Sequence, residues 1–121
     1  MEDKMGTPAL IAHKIEGEYV CITVNFDGHT DSVGKTLREV FNTNERVVDL
    51  LALGDCSSIA LAKDITEVVA YHRDRNEPWK NVRSMNFDTL DEAQALYSPI
   101  FTYVWDGEKW TGYYKDDELD W

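Results

Sequence analysis

Three groups of residues in this chain have the types and spacing to do chemistry. The first is Gly34-Lys35-Thr36, which follows a β-branched run (Tyr19 to Val24) and a turn centred on Gly28, and which opens an amphipathic helical pattern. Strand, glycine loop, Gly-Lys-Thr and helix is the context of a phosphate-binding loop, whose amides and lysine cradle phosphates. The spacing fails. That loop needs a glycine with four residues between it and Gly34; His29 stands there, and Gly28 comes one position too early. Asp27 and Asp31 would also repel a triphosphate. Nucleotide hydrolysis is therefore the least favoured function, and the chain is expected not to be an enzyme. Read structurally, Gly34 permits close packing and Lys35 is a solvated helix residue.

The second group is His72, Arg73, Arg75, Trp79, Lys80 and Arg83, a concentration of positive charge in an otherwise acidic chain. Guanidinium groups fork phosphates or carboxylates while an indole stacks on a planar ring. Arg73, Arg75, Trp79 and Arg83, joined by the Asp27, Gly28, His29 and Thr30 turn, form the candidate pocket for a small anionic nucleotide. The competing explanation is that these arginines pair with Asp74, Glu77 and other acids as surface ion pairs of little energetic weight.

The third group lies at the C-terminus. Tyr113 and Trp121 accompany Asp116, Asp117, Glu118 and Asp120, and such a mixture of aromatics and acids suits a basic protein surface. Other chemistries have weaker support. His13, His29 and His72 are too far apart for a recognised metal motif, and neither cysteine stands at ligand spacing to them. No metal and no cofactor is expected, and no nucleophilic triad is visible.

The elements that must position these groups follow from periodicity. Ala9 to Ile15 and Tyr19 to Val24 read as a hairpin around Glu16-Gly17-Glu18, with Val20, Ile22 and Val24 on one face and Tyr19, Cys21 and Thr23 on the other. Val33, Leu37, Val40 and Phe41 form one helical stripe, with Asp31 or Ser32 available as a cap. Asn42-Thr43-Asn44 breaks that helix and starts another carrying Val47, Leu50 and Leu51, which stops at Gly54. Asp55 to Ser58 reads as a polar loop, Ile59 to Asp64 is ambiguous, and Thr66 to Tyr71 reads as a strand leading into a charged loop that Pro78 closes. Asp88-Thr89-Leu90-Asp91-Glu92 has capping-box spacing and opens a helix through Leu96. Phe101 to Trp105 and Trp110 to Tyr114 form a hairpin on the Asp106-Gly107 turn signal, with Phe101, Tyr103 and Trp105 on one face, joined across the pair by Trp110 and Tyr114, as core. The order is ββααβαββ: an α+β single domain over 1–121, mostly antiparallel sheet with short helices on one face, and with 1–7 and 115–121 as mobile termini.

Composition bounds the function. A chain of 121 residues buries a real core without staples. A formal net charge of −11 opposes duplex nucleic acid and anionic membranes, and favours solubility or a basic protein partner. Cys21 and Cys56 read as reduced thiols of a cytosolic protein, and neither a secretory leader nor a bilayer-length apolar run is expected.

Several motifs occur in ordered succession: Phe26-Asp27-Gly28; Val33-Gly34-Lys35-Thr36-Leu37; Leu53-Gly54-Asp55-Cys56-Ser57-Ser58; Val69-Ala70-Tyr71-His72-Arg73-Asp74-Arg75; and Asp106-Gly107-Glu108-Lys109-Trp110. In this succession the chain resembles a family of small uncharacterised phage-encoded proteins, from about Tyr19 to Tyr114. It departs from that pattern at His29-Thr30, where the family has Tyr-Pro, and in a shorter stretch between Ser58 and Thr66. The resemblance implies a virus-encoded accessory protein in the cytoplasm of a bacterial host. Accessory proteins of this class are often inhibitors of host defence, an association of genes and not of chemistry. The leading expectation is a non-enzymatic protein that binds and blocks a host defence factor through its acidic and aromatic surface. The alternative is a sponge that sequesters a nucleotide immune signal.

Overall fold

The structure is a computed structural model that describes residues 6–62 and 65–121. Its first strands, β1 (Ala9–Ile15) and β2 (Glu18–Val24), pair antiparallel across a turn in which Glu16 and Gly17 take positive φ. A π-helical turn at Thr30–Gly34 runs into α1 (Lys35–Glu39), followed by α2 (Asn44–Leu51). The strands β3 (Cys56–Ala62) and β4 (Ile65–Ala70) come next, then two short helices, α3 (Tyr71–Arg75) and α4 (Trp79–Val82). The chain closes with β5 (Met85–Phe87), α5 (Leu90–Tyr97), β6 (Phe101–Trp105), β7 (Trp110–Tyr114) and β8 (Asp117–Glu118).

All the strands belong to one sheet, ordered β4-β3-β2-β1-β6-β7-β8, with β5 also paired to β2. The pairings are antiparallel except β1 with β6 and β2 with β3, so the α+β, mostly antiparallel expectation holds. β1 lies at the centre because both of its faces are apolar. Ala9 and Ile11 join Ile22, Val24, Tyr103 and Trp105 under α1 and α2, which contribute Leu37, Val47, Leu50 and Leu51. Leu10 and Ala12 join Cys21 and Val104 on the opposite side, where Ala93 of α5 is buried among them.

The second cluster corrects the expectation of one helical face. α5 covers the other side of the sheet, because β1 is buried on both faces and its reverse side also needs an apolar cover. Five further differences follow. Tyr114, expected in the core, stands at the end of β7 with 42% of its surface exposed and only its ring edge against Phe101. Cys56 to Ser58, read as a polar loop, begins β3, since its backbone pairs with β2 and β4. Tyr71, read as the last strand residue, begins α3, and the charged stretch from His72 to Trp79, read as one loop, runs through α3 into the start of α4; Asn76 in the left-handed region ends the first helix, and Pro78 precedes the second. Met85–Phe87 is a short additional strand on β2. Finally, neither Asp31 nor Ser32 caps a helix through its side chain. The Ser32 and Gly34 amides donate to the His29 carbonyl and the Val33 amide to the Asp27 carbonyl.

Other local signals are realised as read. The Thr43 hydroxyl accepts the Arg46 amide at 3.2 Å to cap α2, and Thr89 and Glu92 make both halves of a capping box at the start of α5. Residues 115–121, read as a mobile tail, return along β7: Glu118 pairs with Tyr113 and Asp117 with Tyr114. Of the segment 1–7, residues 1–5 lie outside the described residues. Among the described residues, no helix is long and apolar enough to cross a membrane.

Candidate functional site

At the Gly-Lys-Thr corner the glycine makes room for aromatic rings. A side chain at Gly34 would place its first carbon 3.1 Å from both the Trp121 Cζ2 and the Tyr103 hydroxyl, and one at Gly112 would come within 2.9 Å of Trp121 Cε3. The Trp121 indole thus packs against two glycines and the Tyr103 ring, whose centroid is 5.1 Å away. Arg38 stands over that indole at 4.4 Å and its guanidinium donates to the Trp121 carbonyl. Tyr103, fully buried, donates its hydroxyl to the Gly28 carbonyl at 2.7 Å, and burial pushes its ionisation far above the ordinary tyrosine range. Thr36 turns its hydroxyl inward to the Ser32 carbonyl at 2.9 Å. The Gly28, Ser32, Val33 and Gly34 amides are bonded to carbonyls and the threonine to its own helix, so these groups are already engaged and not turned toward a phosphate.

The acidic and aromatic residues of the tail are held in place by β8. Tyr113 and Asp116 line a recess of about 410 Å³ together with Leu90, Asp91 and Gln94 of α5, so Asp116 shares it with an acid of that helix's first turn. Asp117, Glu118 and Asp120 are exposed nearby in sequence, whereas Trp121 faces the opposite side of the sheet, half-buried on Tyr103. The expected partner-binding set is therefore divided: Tyr113 and Asp116 share one concave surface, while Trp121 belongs to the core.

The arginine group is divided as well. Arg73 forms an ion pair with Asp74 at 2.8 Å and donates to the Val68 carbonyl, while Asp74 also accepts the Ala70 amide. The Arg73 hydrogen bond and the Ala70 amide hold the Asp74 carboxyl below the usual carboxylate range. Arg75 stands over the Tyr71 ring at 5.5 Å. Trp79 meets His72 edge-on, and a side chain at Gly54 would come within 2.8 Å of its ring. The Asp27–His29 turn is anchored elsewhere: the Gly28 amide donates to the Thr7 carbonyl, and His29 hydrogen-bonds Thr7 and packs edge-on against Phe101. Arg83 is exposed, with its charge felt at Tyr97.

What the fold assembles beside the arginines is a cleft that sequence reasoning missed. β2 pairs with β5 only from Tyr19 to Cys21, and with β3 only from Val24 onward. Between them the sheet forks, and the Thr23 amide has no strand partner on that side. The Asp55 carboxylate takes its place, accepting the Thr23 amide at 3.0 Å. The Asp55 backbone closes the fork from both sides, since its amide donates to the Val82 carbonyl and its carbonyl accepts the Tyr71 amide. The resulting cleft, about 450 Å³, is lined by Thr23, Asn25, Asp55, Tyr71, Glu77, Val82 and Tyr97. Asn25 donates to the Tyr71 hydroxyl at 2.6 Å, joining its two walls. Burial raises the Asp55 carboxyl above its ordinary value, and the Thr23 hydrogen bonds pull more weakly the other way. Burial, with the nearby Asp55 charge, pushes the Tyr97 hydroxyl up to about 12.

The sequence signal for this site was Gly54-Asp55 after a helix. Gly54 has φ +80, which turns the chain sharply enough to present Asp55 to the fork. Among the described residues, no cluster of histidine, cysteine and carboxylate side chains is arranged to hold a metal. Cys21 and Cys56 are buried free thiols, each raised by burial to about 12 and so poor nucleophiles. Comparison with protein-family models, curated proteins and solved structures finds no match to this chain.

Proposed function

We propose that this chain is a phage accessory protein that acts without catalysis in the bacterial cytoplasm, by binding and blocking a basic host protein, a factor of host defence. The observation that carries the reading is the return of the tail as β8. It holds Asp116 and Tyr113 in one recess with Asp91 and sets Asp117 and Glu118 on an exposed edge. Carboxylates held in place lose less freedom on binding than carboxylates on a loose tail, and so discriminate better between partners. The net charge of −11 steers a basic partner toward this surface and repels nucleic acid. The viral origin and the defence target rest on the motif resemblance. A nucleotide sponge has less support, because Arg73 is committed to Asp74 and the Asp27–His29 turn to Thr7 and Phe101.

The test is capture from lysate of a bacterial host, with the retained proteins and any heat-released small molecules identified by mass spectrometry. The expected result is one stoichiometric basic protein, released by salt. The triple variant Asp116→Lys, Asp117→Lys, Glu118→Lys should weaken its retention by about tenfold or more, as reversed interfacial charges do. A released nucleotide with no protein partner would replace this reading with the sponge.

A further inference from the structure

We propose that the cleft where the sheet forks is an anchor pocket for a guanidinium group, the side chain of an arginine on the basic partner. This assignment rests on the reading above and names the contact that gives it specificity. The cleft presents two carboxylates, Asp55 and Glu77, beside the Asn25 amide and the Thr23, Tyr71 and Tyr97 hydroxyls, and among the described residues no lysine or arginine lines it. Such a lining offers acceptors and π faces to a donor, and would set two negative charges against a phosphate.

Among cationic side chains, arginine fits best. Its planar fork carries five N–H donors that bridge a carboxylate bidentately and stack on a phenol ring, whereas an ammonium is a strongly hydrated point charge. The chain supplies its own example, since Arg75 lies over the Tyr71 ring at 5.5 Å. Half-burial also matters. Asp55 has already lost much of its hydration, so an incoming guanidinium restores favourable charge contacts at a smaller desolvation cost than at an exposed carboxylate. A volume of about 450 Å³ accommodates an arginine together with part of the turn that carries it.

The pocket and the tail recess lie on the same side of the sheet. Thr23 alternates in step with Cys21 on the α5 side of β2, Tyr97 ends α5 and borders the cleft, and Leu90 and Asp91 begin α5 and border the recess. A partner laid along this face meets acceptors at both ends of α5. The exposed acids of the recess set approach and salt dependence, and the half-buried Asp55 sets residence time.

The experiment is a titration of the full chain with N-acetyl-arginine amide, followed residue by residue by amide NMR. The comparison ligands are the lysine amide, the neutral isostere citrulline amide, and guanosine monophosphate. The arginine amide should produce saturable shifts at Thr23, Asp55, Tyr71 and Val82, and citrulline should bind at least about tenfold more weakly, the loss of one charge-assisted contact. Asp55→Asn keeps a carbonyl for the Thr23 amide and should weaken binding by about tenfold, and Glu77→Gln should do so without touching the fork. The triple tail variant should leave this titration unchanged. Equal binding of citrulline, indifference to both carboxylate variants, absence of saturable shifts, or binding of the nucleotide in place of the arginine would each overturn the proposal. A titrating cleft in a protein that retains no partner from lysate would support the pocket and overturn the blocking function. A retained partner with no arginine binding would overturn the pocket alone.

Discussion

Two irregular places in this sheet meet the same physical demand in opposite ways. At the Gly28–Gly34 corner the chain leaves a strand and must satisfy a run of turn amides and carbonyls. It does so internally: amides donate to the His29 and Asp27 carbonyls, Tyr103 reaches the Gly28 carbonyl, and Trp121 fills the space two glycines leave. At the fork of β2 an amide also loses its strand partner, but a carboxylate satisfies it from the wall of an open cleft. A buried polar group must find a partner in either case. Closing the site with aromatic rings fills it, and closing it with a charge that still faces solvent leaves a cleft open to solvent.

That contrast breaks most readily at Tyr103. Tyr103→Ala removes a fully buried ring at the junction of Gly28, Gly34 and Trp121, and should cost about 4 kcal/mol in denaturant unfolding. Tyr103→Phe, which orphans only the Gly28 carbonyl, should cost about 1–2 kcal/mol. Equal losses for the two would mean that the hydroxyl carries the corner and the packing carries little.

Gly54→Ala tests the fork at the next level of effect. The residue would hold a side chain at φ +80 and place it 2.5 Å from the Val82 carbonyl, the acceptor of the Asp55 amide. The expected loss is about 3 kcal/mol, combining left-handed strain with displaced backbone. Arginine-amide binding should fall with it. Retention of both stability and binding would show that the fork does not depend on this turn.

The smallest effect sharpens the comparison by its sign. The folded protein holds the Asp55 carboxyl above its ordinary value of 3.8, so between that value and the raised one it binds more protons folded than unfolded. Stability contributed here is gained as pH falls through the raised value and is absent at neutral pH, where the half-buried charge is a cost. Asp55→Asn removes that charge and keeps the acceptor for Thr23. At neutral pH the variant should be as stable as the parent or up to about 1 kcal/mol more so, with the difference shrinking toward 3.8. A clear destabilisation at neutral pH would make Asp55 a structural carboxylate like Asp74 and weaken the case for a binding role.

What the sequence determined by itself is what neighbours within a few residues decide. The first hairpin, the Asp106-Gly107 hairpin, the Thr43 cap and the Thr89–Glu92 capping box all form as their local patterns require, because each rests on turn geometry or on hydrogen bonds between residues at most three or four apart. The residue periods also separated the two faces of β2 and placed Tyr113 opposite Tyr103. The tertiary structure alone decided the rest. Cys56–Ala62 becomes a strand because β2 and β4 offer it partners, despite a polar start. α5 crosses to the far side because β1 is apolar on both faces, and Trp121 docks because Gly34 and Gly112, far apart in the chain, leave one space. Asp55 meets Thr23, Tyr71 and Val82 through long-range pairing, and no local spacing encodes where a sheet will split. Local chemistry sets which elements form. The cleft exists because two strands compete for one edge of β2 and neither covers it whole.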